Sequence, residues 1–477
     1  MSHPTIIQGG MGAAVSNWRL ARAVSVTGQL GVVSGTSLAV VQARLLQQGD
    51  PGGHLRRAFD HFPLPAIAER VWREYYVAGG LPMGAPYRSV GMPTLPLSRS
   101  LVELTVLGNF AEIFLAKEGH SGRVGINLLE KIQLPTIPSL YGAMLAGVDT
   151  VLMGAGIPRS IPGILDGLAN GAAVEMKVDV EGAAPDDPIR VLRFDPRDLF
   201  PGELPVVRRP EFLAIVSSAT LALTLARKST GRVDGFVVEG AIAGGHNAPP
   251  RGPLQLSPEG EPIYGPRDAA DLPKIRELGL PFWLAGAFSR PGKIAEAQAQ
   301  GAVGVQVGTA FALCEESGIF PDLKRRLREL VRAGTARVFT DPLASPTGFP
   351  FKVVQLARSM SDAAAYAKRQ PFCDLGYLRT LFRREDGTVG YRCASEAPAD
   401  FVRKGGDPAA SLGRKCLCNG LMATVGFAQT RASVETEMPI VTAGDEISCL
   451  AKYFDFKGES YSAADVIRIL LGPAQAV

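Results

Sequence analysis

The sequence has little that would staple, anchor or strongly charge a fold. Six cysteines in 477 residues are too few for a disulfide scaffold. No uninterrupted apolar run reaches the roughly 18 residues a membrane helix needs, so no membrane partner is expected. The N-terminal MSHPTIIQGGMG lacks a basic stretch followed by an apolar one, so no export signal is expected and a cytoplasmic location with reduced thiols follows. Fifty basic and 46 acidic residues leave a net charge of only +4. No Lys/Arg stripe interleaved with aromatics occurs, which argues against nucleic acid as a partner. The basic segment KRRLREL, residues 324–330, has the spacing of a solvated amphipathic helix. No G-x-G-x-x-G follows the first predicted strand, which argues against a dedicated dinucleotide domain.

What the sequence does have is a series of short apolar runs that end in glycine, with helical stretches between them. Predicted strands cover 6–12, 31–38, 123–129, 149–156, 212–218, 234–240, 281–288 and 303–311. They are hydrophobic almost throughout rather than alternating, as parallel strands buried on both faces should be. Eight strand–helix units, with small and polar residues where the strands end, predict the α/β class and a closed TIM (β/α)8 barrel. The expected division is a barrel over 1–311, including a helical insert at about 50–120 after strand two, and a mainly helical C-terminal extension over 312–477 packed on the barrel. The insert falls where barrel loops border the mouth. Residues 172–205 read as a β-excursion. The stretch TDPLASPTGFPF, 340–351, carries three prolines and should lack regular structure.

Two segments carry the chemistry. In VDGFVVEGAIAGGHNAPPRG, 233–252, an apolar run ends at Glu239, a turn of small residues follows from Gly240 to Gly245, and His246 closes it. Glycines let backbone approach a flat or anionic ligand, and histidine is the side chain best placed for proton transfer near neutral pH. The bland alternative is a tight turn with a solvated histidine. In GVQVGTAF, 304–311, Gly308 and Thr309 offer N–H groups and a hydroxyl to a phosphate. Gly286 and Ala287 precede a helix expected near Pro291, which makes a second anion-binding turn. Barrels commonly bind phosphate with the loops after strands seven and eight, where these two segments fall.

Other candidates have plainer readings. His54, His61 and His120 read as surface or packed histidines, and His3 lies in an irregular start. Tyr75 and Tyr76 read as helix-packing aromatics. Cys373, Cys393, Cys416 and Cys418 lack the paired C-x2-C form of zinc sites; zinc and free thiols both remain open, and free thiols with no metal are the expectation.

The motifs IIQGGMG, GINL, AGGH, LAGAF and VQVGTAF, in this order, resemble the nitronate monooxygenase family, formerly called 2-nitropropane dioxygenases. They also resemble its relatives, the trans-acting enoyl reductases of polyunsaturated fatty acid and polyketide synthases. Both are FMN-dependent barrels, and the resemblance covers roughly residues 5–355. It implies that FMN lies against Gly10, Met11, Asn127, Glu239, Gly244, Gly245, Gly286, Ala287, Gln306, Val307, Gly308 and Thr309, with His246 as catalytic base. It implies a small nitroalkane or nitronate as substrate. The alternative is an enoyl thioester presented by a carrier protein, and a homodimer is a possible assembly in either case. Two positions depart from the pattern. Ala287 replaces a glycine, which a phosphate loop tolerates if φ is negative there. Glu239 stands where nitronate monooxygenases have glutamine and the enoyl reductases have glutamate. NAPPRG, after the histidine, matches neither family's usual continuation.

Overall fold

Eight parallel strands carry the fold: β1 (Ile6–Gln8), β2 (Gly31–Ser34), β3 (Val124–Leu129), β4 (Thr150–Gly154), β5 (Glu211–Val216), β6 (Gly235–Glu239), β7 (Phe282–Ala285) and β8 (Gly304–Val307). The computed structural model describes residues 3–431, 436–457 and 459–472. Six strand pairs run in sequence from β2 through β8, and β8 returns to β1. The ring closes where Ile7 bridges Leu30: Gln8 N–H donates to Leu30 O at 2.9 Å and Leu30 N–H to Ile6 O at 3.1 Å. The result is the TIM barrel the sequence predicts.

Successive residues point to opposite faces of each strand. Ile7, Val32, Leu152, Leu213, Val237 and Trp283 fill the lumen, while Ile6, Val33, Val151, Phe212 and Phe236 face the outer helices. This double burial is why the strands read as unbroken apolar runs. The Trp283 indole N–H donates to Pro4 O at 2.8 Å and plugs the N-terminal end. With the lumen packed, the barrel's room for a ligand among the described residues lies beyond the strands' C-terminal ends. Capped helices lie outside: Asn17 accepts from Leu20 N–H at 3.1 Å ahead of Trp18–Ser25, and Ser218 from Leu221 N–H at 3.2 Å ahead of Ala219–Lys228.

The insert does not sit where the sequence suggests. Among the described residues, none between 50 and 120 lines the main cavity. Helices His54–Asp60 and Pro65–Tyr75 pack on the long helix Arg99–Lys117 instead. The reason is amphipathicity: Leu55, Ala58, Phe59, Ile67, Ala68 and Val71 are all buried, and this apolar stripe needs a helix to pack on. The β-excursion forms an antiparallel ribbon of Val174–Lys177 with Val191–Phe194.

The chain after 311 mixes short helices with two antiparallel ribbons. One joins β9 (Val338–Asp341) to β10 (Phe351–Val354); the other joins Thr380–Arg383 to Val389–Arg392. The prolines leave 342–350 without helix or strand, while Thr340, Asp341 and Phe351 at the ends of that stretch are strand. Phe351 bridges His246, which brings the extension across the barrel's C-terminal end.

The closing seam depends on one side chain. Gln8 is fully buried, its Oε1 accepts from Val32 N–H at 3.0 Å, and its Nε2 donates to Ser16 Oγ at 2.8 Å. Gln8→Ala strands a buried N–H, so unfolding free energy should fall by about 1–3 kcal/mol, measured by urea denaturation. A loss near zero would show that the seam is held elsewhere.

Candidate active site

A cavity of about 1420 Å³, including its open mouth, lies over the C-terminal ends of the strands. All of the residues singled out in the sequence line it: Gly10, Met11, Asn127, Glu239, Gly244, Gly245, His246, Gly286, Ala287, Gln306, Val307, Gly308 and Thr309. They come from five different strands and the turns that follow them, and only barrel closure brings them together.

The floor is flat because it lacks side chains. A Cβ on Gly10 would lie 2.3 Å from Asn127 Cβ, so no other residue fits there without displacing Asn127. Ser16 fixes this turn: its Oγ accepts from Met11 N–H at 2.9 Å and donates to Gly9 O at 3.0 Å. Gln306 Oε1 is buried at the cavity without a hydrogen-bond partner among the described residues. Such an acceptor is costly unless a ligand donates to it.

The turns after β7 and β8 form the other end. Gly286 has φ +97° and Ala287 φ +63°. The sequence-based condition of a negative φ at Ala287 is therefore not met. The turn needs the left-handed region, and alanine occupies it at a cost of about 1 kcal/mol. Gly286, Ala287 and Gly308 line this end of the cavity. The following helix starts at Lys293, not Pro291, because Gly292 makes a left-handed turn at φ +83° first. Thr309 Oγ1 accepts from Gly444 N–H at 2.9 Å, which leaves its own hydrogen to donate. The cavity lining contains no lysine or arginine, so an anion held here relies on backbone dipoles and hydroxyls.

His246 is fixed from the extension side. Gly245, at φ +87°, donates its N–H to Thr442 Oγ1 at 2.8 Å, and its carbonyl accepts from Lys352 N–H at 3.0 Å. The imidazole packs edge-on against Phe351 at 4.8 Å between ring centroids, and Nε2 stands 2.8 Å from Ser345 Oγ. Burial, reinforced by the Lys131 cation, pushes the imidazole down to about 3, so it is neutral at physiological pH. Burial also pushes the Lys131 ammonium down to about 8. Glu239 is half-buried at the cavity, and the surrounding protein desolvates it. That desolvation pushes its carboxyl up to about 7.

The sequence reading missed one wall. Phe351, Leu421, Thr442, Ala443, Gly444 and Glu446 line the cavity from the extension. Gly244 is needed for this contact, since a Cβ there would lie 2.8 Å from Ala443 C. The small residues of TAGDE, 442–446, were the only sequence signal. The remaining histidines are structural: His54 packs on Trp18, His61 on Phe114, His3 on Trp283, and His120 Nε2 bonds Ala116 O at 2.7 Å. Tyr75 is buried and Tyr76 stacks on Trp72. Cys373, Cys393, Cys416 and Cys418 carry free thiols, and among the described residues no three His, Cys, Asp or Glu side chains are arranged to hold a metal ion.

Residues 208–340 match the family model described as nitronate monooxygenase. This segment is similar to nitronate monooxygenases. The match spans β5 to β9 and includes Glu239, His246 and both phosphate-type turns. The similarity supports an enzyme of the oxidoreductase class. Among solved structures, FabK from Thermotoga maritima superposes with a TM-score of 0.50 at 14% identity, covering 98% of this chain and 92% of that one, which shows a shared fold. Nitroalkane oxidase from Streptomyces ansochromogenes gives 0.47 at 15% identity, covering 98% and 94%. The enoyl reductase domain of MlnA from the macrolactin biosynthesis cluster of Bacillus amyloliquefaciens gives 0.46 at 11%, covering 98% and 92%. No curated protein matches the sequence. No helix among the described residues is long and apolar enough to cross a membrane.

Glu239 gives a pH test. Its folded pKa of about 7 lies above the ordinary 4.5. Burial of the neutral acid is tolerated at low pH, so stability is lost as pH rises from 4.5 through 7. Glu239→Gln cannot ionise. In the flavin-free protein its Tm should equal the parent's near pH 4.5 and exceed it increasingly toward pH 8, as read by scanning calorimetry. Parallel Tm curves would show that Glu239 is well solvated.

Proposed function

We propose that this chain is an FMN-dependent oxidoreductase of the nitronate monooxygenase type, which oxidises a nitroalkane, a nitronate or a similar small acidic carbon compound with oxygen. One observation carries the reading: a slot at the strand ends, lined largely by glycine and other small residues, has two small-residue turns at one end and a half-buried neutral histidine on its wall. The residues present fit FMN. Gly10, Met11 and Gly308 leave room for a planar ring. Gln306 Oε1 is an orphaned acceptor that a ring N–H satisfies. Gly286, Ala287, Gly308 and Thr309 supply donors for the phosphate. FMN, when bound, supplies the electron chemistry, and the protein supplies position and proton handling.

His246 is uncharged before substrate enters, so it can accept a proton from an acidic carbon. An anionic nitronate beside it offsets the desolvation that otherwise opposes the imidazolium. The apolar walls, including Phe351 and Leu421, keep water from the reacting carbon. The division at residue 311 is part of this proposal: the barrel supplies the floor, and the extension supplies the wall that buries His246.

A second reading has its own observation. Glu239 matches the enoyl reductases rather than the nitronate enzymes, and its carboxyl faces the cavity with no protein partner among the described residues. On that reading the substrate is a carrier-bound enoyl thioester and His246 donates a proton.

Two experiments test the proposal. Thr309→Val removes a hydroxyl from the phosphate end, so FMN affinity measured by fluorescence titration should fall roughly ten- to a hundredfold, the equivalent of about 1.5–3 kcal/mol. Unchanged affinity would place the phosphate elsewhere. His246→Asn should slow oxidation of a neutral nitroalkane by about 10²–10⁴-fold and slow a preformed nitronate far less, because the nitronate has already lost its α-proton. Equal small losses would make His246 structural. No turnover of either compound by the parent protein would favour the thioester reading.

A further inference from the structure

His246 is half-buried, lining the main cavity with its ring packed against Phe351. A proton that it exchanges with a ligand filling that cavity needs a route to water on the other side of the ring. Nε2 lies 2.8 Å from Ser345 Oγ, and Ser345 Oγ lies 2.8 Å from Thr347 Oγ1. Ser345 is completely buried. Thr347 is half-buried and lines a second cavity, which it shares with Lys131, Gln133 and Tyr377 and which opens to solvent. The 343–347 loop is pinned in place. Arg414 donates to Leu343 O at 2.9 Å and to Ser345 O at 2.6 Å, and Thr347 N–H donates to Ser345 Oγ at 3.2 Å. The His246 Nδ1 has no protein partner among the described residues, and the residue lines the catalytic cavity.

We infer that Ser345 and Thr347 form a proton path between His246 and the second cavity. The inference rests on the reading that His246 handles a proton. It adds two positioning residues that lie outside the motifs and outside the barrel.

The path works in two hydrogen-bond polarities. In the first, Nε2–H donates to Ser345, Ser345 donates to Thr347, and Thr347 donates to water; Nδ1 keeps its lone pair. When a ligand's proton arrives at Nδ1, the Nε2 proton moves to Ser345 Oγ. The serine hydrogen moves to Thr347 Oγ1, and the threonine hydrogen leaves to water in the second cavity. The second polarity then holds, with a hydrogen on Nδ1 and a lone pair on Nε2. One proton has moved and no electron has. The ring is neutral before and after, which suits a site where burial opposes the charged form. Run backwards, the same path delivers a proton to a ligand, so it serves either direction of acid–base chemistry.

The test compares the FMN-loaded parent with Ser345→Ala, Thr347→Val and Thr347→Ser. Each protein carries ¹⁵N-labelled histidine, and NMR reads hydrogen exchange at the His246 ring nitrogens. Exchange should slow by at least about tenfold in Ser345→Ala and Thr347→Val and recover in Thr347→Ser, in proportion to the acid–base contribution expected of such a path. With a neutral nitroalkane, Thr347→Val should lower kcat and a small diffusible buffer such as imidazole should restore it, while a preformed nitronate is unaffected. Exchange as fast as the parent's in both Ser345→Ala and Thr347→Val overturns the path. Should Ser345→Ala fail to fold, the half-buried Thr347 pair carries the test. Exchange is read without substrate, so a parent that turns over no nitro compound overturns the nitronate reading and leaves the exchange comparison standing.

Discussion

The site depends on the seam between the 240–246 turn and the C-terminal extension. Gly245 N–H bonds Thr442 Oγ1, Lys352 N–H bonds Gly245 O, Asn247 N–H bonds Pro350 O, and Asp445 N–H bonds Ile242 O. Lys352, almost wholly buried, locks the seam by pairing with both Asp445 oxygens at 2.7 and 2.8 Å and with Thr340 Oγ1 at 2.7 Å. These bonds join segments about a hundred to two hundred residues apart. They exclude water from His246 and Glu239, and that exclusion moves both groups away from their ordinary ionisation. Without the extension, the barrel would present the same residues as an open, solvated dish.

The parts of this arrangement that follow from local rules were legible in the sequence. All eight strands are where the apolar runs put them, because parallel strands buried on both faces leave an unbroken signature. The cavity residues were legible because they lie in the apolar strand runs or in the small-residue turns that end them. The insert was misplaced because order in the chain says nothing about which way an amphipathic helix leans. The stripe of Leu55, Phe59, Ile67 and Val71 turns the insert onto helix Arg99–Lys117 and away from the mouth. The extension's wall was not legible, since Phe351 and Thr442 to Glu446 lie in segments with no periodicity of their own. Their position is set by long-range backbone pairing. The sign of φ at Ala287 was equally hidden, because an alanine gives no hint that its turn is left-handed.

The charge distribution is economical. Glu239 and Glu446 are the carboxyls in the lining, and no cation faces the ligand directly. Glu446 is neutralised from behind by Arg290 at 2.8 Å. Lys131 lies over the Phe349 ring near the second cavity and acts on His246 at a distance. The proposed anion site therefore rests on the β7 and β8 turns, and the proposed proton chemistry on one histidine that desolvation keeps neutral. On the proposed reading, a flavin with its phosphate at that end would satisfy the orphaned acceptor of Gln306.

The central claim is that this cavity is a flavin mononucleotide site. Adding FMN to flavin-free protein, with bound and free flavin separated by equilibrium dialysis, tests it most directly. One equivalent should be retained per chain, with a dissociation constant at or below roughly the micromolar range, and riboflavin, which lacks the phosphate, should bind more weakly. A protein that retains no FMN, or that retains riboflavin equally well, would contradict the account.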